Sequence, residues 1–333
     1  LKSGISDYSA QLLPELARYY EIDLVVDQPS VDDPWLTANF PVRDLAWFTA
    51  NADQYDRILY QFGNSEFHKH MFSLLDRHPG VIVLHDFFLS SVLHWMEEKA
   101  FGDQPFRHAL VSSHGYGGLL ARSHLSPEAL VWQYPCNLNV LNDADGVIVH
   151  SEFSREEARR WYGPDFARKW DVIPQLRSLP KNLDRAQARK NIYLCDDDFL
   201  VCSFGMLGQS KLNDRLIEAW QQAGFADDPL CQLVFVGELP NNSYGQMLLK
   251  KIPQDIGNIR VSGFVDTETY NSYLAAADLA VQLRSRSRGE TSRAVLDCLA
   301  AGVPLVVNAN GPLAEYPDEI LVKLADAFEL DDL

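Results

Sequence analysis

Apolar residues in this chain come in short runs that end on glycine or a polar residue, and a stretch of helical spacing follows each run. In the first half, residues 22–27, 57–62, 81–84, 145–150 and 172–173 read as strands. Helical spacing connects them. Leu12, Leu13, Leu16 and Tyr19–Tyr20 recur at helical spacing behind Ser6 or Asp7 as a cap, and further helices are expected after Gly63-Asn64 through Phe72–Leu75, over 88–124, and over Glu156–Trp161 with 151–154 as its start. Residues 28–54 are rich in Pro and Asp and show little periodicity. Residues 174–197 carry Pro174, Pro180, many charges and the run Asp196-Asp197-Asp198, and read as a solvated linker. The pattern then restarts, with strands over 199–204, 232–236, 259–261, 278–283 and 305–307 and helices between them.

Strands alternating with helices predict parallel, doubly wound sheets. The fold class is therefore α/β, with two Rossmann-like domains, 1–175 and 176–333, facing a cleft. A length of 333 residues agrees, because single cores stop growing at roughly 250–300 residues. A glycine turn opening a helix is normally fed by a strand. A first strand is therefore expected ahead of residue 1, and the second domain is expected to be incomplete at Leu333. The opening Leu1-Lys2-Ser3 suggests a piece of a longer protein.

Composition narrows the function classes. The net charge of −17, from 46 acidic and 29 basic residues, argues against nucleic-acid binding and broad attachment to anionic lipid. It leaves room for a local basic pocket, which Arg284, Arg286, Arg288 and Arg293 would supply. The five cysteines are scattered without C-x-x-C spacing, and because most sit beside apolar strand-like residues they read as buried free thiols in a reducing compartment. No apolar run approaches the ~20 residues of a membrane span.

The richest stretch runs from Arg288 to Pro304 and reads as turn, helix, Gly stop and strand. On one continuous helix, Glu290 and Asp297 would lie nearly over one another. The free N–H groups at its start, near Thr291 and Ser292, would suit a phosphate. An ordinary amphipathic helix with a charged start fits the same spacing, and both readings stay open. Ligands of open α/β sheets bind beyond the carboxyl ends of the strands. Gly205 to Lys211 lies at such an end, as phosphate loop or plain surface turn. His85-Asp86 lies at another, where the His could hydrogen-bond a sugar hydroxyl and the Asp could simply cap a helix. Asp196-Asp197-Asp198 has the form of a D-x-D metal motif but precedes a strand rather than ending one and reads as linker, and no His or Cys spacing matches a metal site.

Taken together, these residues resemble the GT-B fold glycosyltransferases of family 4, the retaining nucleotide-sugar transferases. The likeness runs through the Gly4 turn with Asp7-Tyr8-Ser9, the His85-Asp86 strand end, His150-Ser151, Gly205 to Lys211, Gly237-Glu238 and 288–304. It implies transfer of a hexosyl unit from a nucleotide diphosphate sugar to a glycan or lipid-linked acceptor, with retention. It further implies that Gly205, Lys211, Arg284, Arg288, Thr291, Ser292 and Asp297 bind the donor, with Asp297 on the ribose. Glu290 and His85 would then be catalytic, and Gly4, Asn64 and Asp86 would lie on the acceptor side. No metal or other cofactor is expected, because protein cations take that place.

Two positions depart from the family pattern. Met206 stands where an Arg is usual, and Gly289 stands where the first acid is usual, with Glu290 one step on. The Gly-Glu-Thr-Ser form resembles a branch of mannosyl- and rhamnosyltransferases that builds bacterial surface polysaccharide, including lipopolysaccharide O-antigen. That branch implies a cytoplasmic protein, with contact to the inner face of the membrane or to an assembly complex as a further expectation. A nucleotide-sugar epimerase or phosphorylase of the same fold, or a non-catalytic nucleotide-sugar or glycan-binding partner, stays open as an alternative.

Overall fold

A computed structural model describes residues 4–99, 103–178, 183–252 and 257–333. The chain divides into two compact units. The first holds residues 1–176 together with Arg288–Thr291, and the second holds Arg177–Ser287 and Ser292–Leu333.

The first unit contains a parallel pair, β1 (Leu24–Val25) and β2 (Val42–Arg43), and a four-stranded parallel sheet. That sheet runs in the order β3 (Leu59–Phe62), β4 (Val81–Leu84), β5 (Gly146–Val149) and β6 (Asp171–Val172). Strands β4 and β5 read as near-continuous apolar runs because helices cover both faces of a parallel sheet. Phe62, Ile82, Leu84, Phe87 and Val149 form the centre of that core. At the carboxyl end of β3 and β4 the chain turns polar, with Asn64 and His85-Asp86.

The second unit is a six-stranded parallel sheet of β7 (Phe199–Phe204), β8 (Cys231–Val236), β9 (Ile259–Val261), β10 (Leu279–Gln282), β11 (Leu305–Asn308) and β12 (Val322–Leu324). Their spatial order is 12-11-10-7-8-9, the doubly wound arrangement in which strand order reverses between β7 and β10. Right-handed crossovers put helices on opposite faces on either side of that point. This leaves a crevice beyond the carboxyl ends of β7 and β10. Leu200, Cys202, Phe204, Val234 and Val307 fill one side of the sheet, and Leu233, Phe235, Ile217 and Leu248 fill the other.

Several local expectations change. The first helix already includes Ser6 and Asp7, running Gly4–Leu16, so neither residue is its cap. The stretch 28–54 holds two short helices, Pro34–Asn39 and Leu45–Asn51, whose first N–H groups are capped by Asp33 and Asp44. The expected linker 174–197 contains the helix Arg185–Asn191, capped by Asp184, while Pro180 lies outside the described residues. Nor is the acid run merely solvated. The buried Arg189 guanidinium donates to the carbonyls of Cys195, Asp196 and Asp198, fixing that turn ahead of β7. Finally, the helix expected to carry both Glu290 and Asp297 begins only at Arg293. Gly289 turns the preceding backbone into the left-handed region at φ +84°, and Arg288–Thr291 joins the first unit. The two acids therefore do not stack on one helix.

Candidate functional site

In the second unit, the turn after β7 is built around a lysine. Gly205 has φ +95°, and a Cβ placed on it would stand 2.8 Å from the Lys211 ammonium nitrogen, so the ammonium lies directly over the glycine. The loop is held by Gly205 N donating to Val236 O (2.9 Å) and Leu207 N to Glu238 O (2.9 Å). The buried Asn213 side chain accepts from Gly208 N at 3.0 Å. Leu212 takes a left-handed conformation (φ +51°), which a leucine adopts only at a cost. That strain closes the short 3-10 turn Gln209–Lys211 onto the helix Asn213–Gln222. Met206, at the position where the resemblance expects an Arg, is 58% exposed.

The turn after β10 is joined to this loop, since Ser285 N donates to Ser210 O at 2.9 Å. The Arg284 backbone is clamped at both ends by the buried Asn308 side chain, 2.7 Å in each direction. Arg284 Nη2 then donates to Ser292 Oγ at 3.1 Å. Ser292 is the N-cap of the helix Arg293–Ala301, but its side chain makes no cap bond. The first-turn N–H groups therefore keep their capacity for an anion, with a guanidinium beside them. Asp297 is differently placed. It is 1% exposed, and its oxygens are taken by Arg177 Nε on one side and Tyr270 OH (2.8 Å) on the other. Arg293 adds a 3.5 Å ion pair.

In the first unit, the ends of β3 and β4 form a polar corner. Asn64 N donates to Asp86 Oδ2 at 2.9 Å, while Asn64 Oδ1 accepts from Ser91 N (2.9 Å) and Val92 N (3.0 Å). Asn64 thus caps the helix Ser90–Lys99, the role the sequence offered as one reading of Asp86. The segment Arg288–Thr291 is fixed beside this corner. The Arg288 carbonyl accepts from Phe87 N (2.7 Å) and Phe88 N (3.2 Å), and the Gly289 carbonyl accepts from Ser154 Oγ (3.2 Å). The Arg288 guanidinium lies 3.6 Å from the centre of the Trp132 ring, a cation–π contact. Arg288 N donates to Glu290 Oε2 at 2.6 Å. Burial first, and the Glu290 charge second, push the Asp86 carboxyl up to about 7; the Asn64 amide and Arg288 oppose them.

Behind that corner, Tyr8, His85 and His150 pack ring against ring at 4.9–5.2 Å. The His85 Nε2–H donates to Gln61 Oε1 (2.7 Å) and the His150 Nδ1–H to the Ile173 carbonyl (2.8 Å). Burial holds both imidazoles below the usual histidine range, so they are neutral near pH 7. A neutral His85 with Nε2–H spent on Gln61 offers its Nδ1 as an acceptor rather than a cation to a leaving oxygen.

The residues singled out in the sequence thus fall into separate groups. Gly205 pairs with Lys211, and Arg284 with Ser292, both in the second unit. Asn64, Asp86, Arg288 and Glu290 gather in the first. His85 belongs to the ring cluster. Thr291 Oγ1 is buried without a hydrogen-bond partner among the described residues, and Gly4 opens the first helix, exposed. Sequence reasoning missed Arg177 and Tyr270, which hold Asp297, and Trp132, which lies against Arg288. None of the three carries a local signal, because each meets its partner across 27 to more than 100 residues. Asn213 was closer to legible, as a polar residue at the start of an apolar helix just after a glycine turn.

Comparison with solved structures defines the fold as that of the GT-B glycosyltransferases. Anabaena HepE, solved in complex with UDP-glucose, superposes with a TM-score of 0.65 at 17% identity, covering 99% of this chain and 84% of that one. Sucrose-phosphate synthase from Thermosynechococcus elongatus gives 0.60 at 17%, covering 99% and 82%. WaaG, a glycosyltransferase involved in lipopolysaccharide biosynthesis, gives 0.58 at 15%, covering 100% and 85%. Within that fold, residues 198–331 match the family model described as Glycosyl transferases group 1, so this part of the chain carries the pattern of that family. No curated protein sequence matches the chain.

Proposed function

We propose that this protein is a retaining glycosyltransferase, moving a hexosyl unit from a nucleotide diphosphate sugar to a glycan or lipid-linked acceptor. The observation that carries the reading is the Lys211 ammonium held over the Gly205 turn, at the strand-order reversal of the unit that carries the group 1 match. A diphosphate accepts charge-assisted hydrogen bonds there, and Arg284 with the uncapped helix start at Ser292 adds positive potential. These groups stabilise the departing diphosphate, the task a metal performs in other transferases, so the reaction is proposed to run without one.

The remaining roles belong to the same proposal. Glu290 and His85 serve the sugar, Arg288 and Thr291 assist the donor, and Gly4, Asn64 and Asp86 serve the acceptor. A role in surface polysaccharide assembly of the lipopolysaccharide O-antigen type, by a mannosyl or rhamnosyl transfer, is part of the reading. WaaG, similar in fold, is described as acting in lipopolysaccharide biosynthesis. HepE was solved with UDP-glucose, which puts UDP-sugars first among donors to try. None of the described helices is long and apolar enough to cross a membrane. The proposed setting is the cytoplasm, with peripheral contact to the membrane or an assembly complex bringing the acceptor within reach.

A thermal-shift panel of UDP-, GDP- and dTDP-sugars tests the donor, because a bound ligand raises the melting temperature by mass action. Lys211→Ala should weaken nucleoside diphosphate binding by about 10- to 100-fold, the worth of a hydrogen bond to a charged group. Unchanged affinity by titration calorimetry would remove Lys211 from the phosphate site. Glu290→Gln should lower transfer while leaving the melting temperature near that of the wild type.

A further inference from the structure

We propose that Asn308 is a positioning residue for the donor's phosphates: by gripping the Arg284 backbone it fixes where that guanidinium meets a nucleoside diphosphate. The inference deepens the transferase reading and rests on its diphosphate site. Every residue it uses lies in the second unit.

Strands β10 and β11 stay in register as far as Gln282 and Val307, and β10 ends there. Asn308, the last residue of β11, carries the pairing further with its side chain. Its Oδ1 accepts from Arg284 N and its Nδ2 donates to Arg284 O, both at 2.7 Å. A carboxamide presents a donor and an acceptor in one peptide-like plane, so it can close both ends of a single residue as a paired strand would. Asn308 is itself fully buried and is steadied from beyond β12. Its Nδ2 lies 3.3 Å from Asp326 Oδ1 and 3.4 Å from Asp326 O, and Asn310 Nδ2 donates to the same Asp326 Oδ1 at 2.9 Å.

The residue so clamped is one whose direction matters. Arg284 Nη1 donates to the Leu283 carbonyl (2.7 Å) and Nη2 to Ser292 Oγ (3.1 Å), which draws the guanidinium to the start of the helix Arg293–Ala301. The next residue, Ser285, donates its N–H to Ser210 O in the Lys211 loop at 2.9 Å. Arg284 therefore leaves the backbone between that loop and the helix start, the two features the diphosphate reading uses. A long arginine side chain loses rotamer freedom when it engages a ligand, and it loses less when its root is already fixed. An Asn308 that served only to satisfy two buried backbone groups would make the same bonds. The two roles differ in whether the effect of Asn308 on binding passes through the Arg284 guanidinium.

A double-mutant cycle on nucleotide affinity separates them. Wild-type protein is titrated calorimetrically with UDP, GDP and dTDP, and the tightest binder is used throughout. Arg284→Ala should weaken its binding by about 10- to 100-fold, the worth of a hydrogen bond to a charged group. Asn308→Ala should weaken it by about tenfold alone and by less than about twofold in the Arg284→Ala background, while the loss stays about tenfold in the Lys211→Ala background. Full affinity in Asn308→Ala, or a loss of the same size with and without the Arg284 guanidinium, overturns the positioning role and leaves the transferase reading standing. A loss that also disappears in the Lys211→Ala background traces the effect to the loop and overturns the role as well. A wild-type protein that binds none of the three nucleotides overturns the diphosphate site and this role with it. If Asn308→Ala fails to fold, Asp326→Ala takes its place, since Asp326 is exposed and its removal unpins the Asn308 amide. That variant should weaken binding by about threefold, and not at all once Arg284 is Ala. No weakening, or weakening that survives without the guanidinium, overturns the proposal.

Discussion

Asp297 shows how a side chain's environment limits its work. A carboxylate buried to 1% keeps its charge only where cations and donors replace water, and Arg177, Tyr270 and Arg293 do so here. A ribose hydroxyl can reach this carboxylate only by exchanging with one of them. The cluster also ties Arg177, the first residue of the second unit, to the helix Arg293–Ala301. Removing one partner strands a buried charge. Arg177→Ala should therefore destabilise the second unit by about 3–5 kcal/mol. Tyr270→Phe should cost about 1.5–3 kcal/mol, the worth of one hydrogen bond to a charged group. Equilibrium urea denaturation followed by a probe in the second unit checks both. Losses below about 0.5 kcal/mol for both variants would show that the cluster contributes nothing to stability.

At the level of elements, the turn after β7 depends on the turn after β8. A Cβ on Gly237 would stand 2.3 Å from the Gly205 carbonyl oxygen and 3.0 Å from Met206 N. Gly237→Ala must push the Lys211 loop outward, so it should weaken nucleoside diphosphate binding and cost about 1–3 kcal/mol. Gly208→Ala is the control, since nothing lies within 4 Å of a Cβ there and its φ of −171° is ordinary extended backbone. Equal affinities for the two variants in a calorimetric titration would show that the Gly237 contact does not set the loop. This dependence was beyond sequence reasoning, as was the placement of Glu290. The parallel strands were legible because each is an uninterrupted apolar run between turn residues. In 28–54 the helix starts went unread, although Asp33-Pro34, a cap followed by proline, is a local signal. The start at Arg293 was not legible, since it follows from bonds that Gly289 and Arg288 make to Phe87, Phe88 and Ser154 far back in the chain.

For the molecule as a whole, each unit buries its own core about its own parallel sheet, and Asn64, Asp86 and the Gly205 turn follow the carboxyl ends of strands. The five thiols are distributed across this division. Cys136 is buried in the first unit, Cys202, Cys231 and Cys298 are buried in the second, and Cys195 is exposed on the turn before β7. Burial also raises the thiol pKa of Cys136, Cys202 and Cys298, which removes the reactive thiolate. Native protein mixed with a maleimide should therefore gain one adduct quickly, at Cys195, visible by intact mass; a second fast adduct would show that a buried thiol is open. The slower adducts then act as clocks of local opening. Cys136 times the first unit and Cys202 the second, so one labelling experiment ranks the two cores by how often each comes apart.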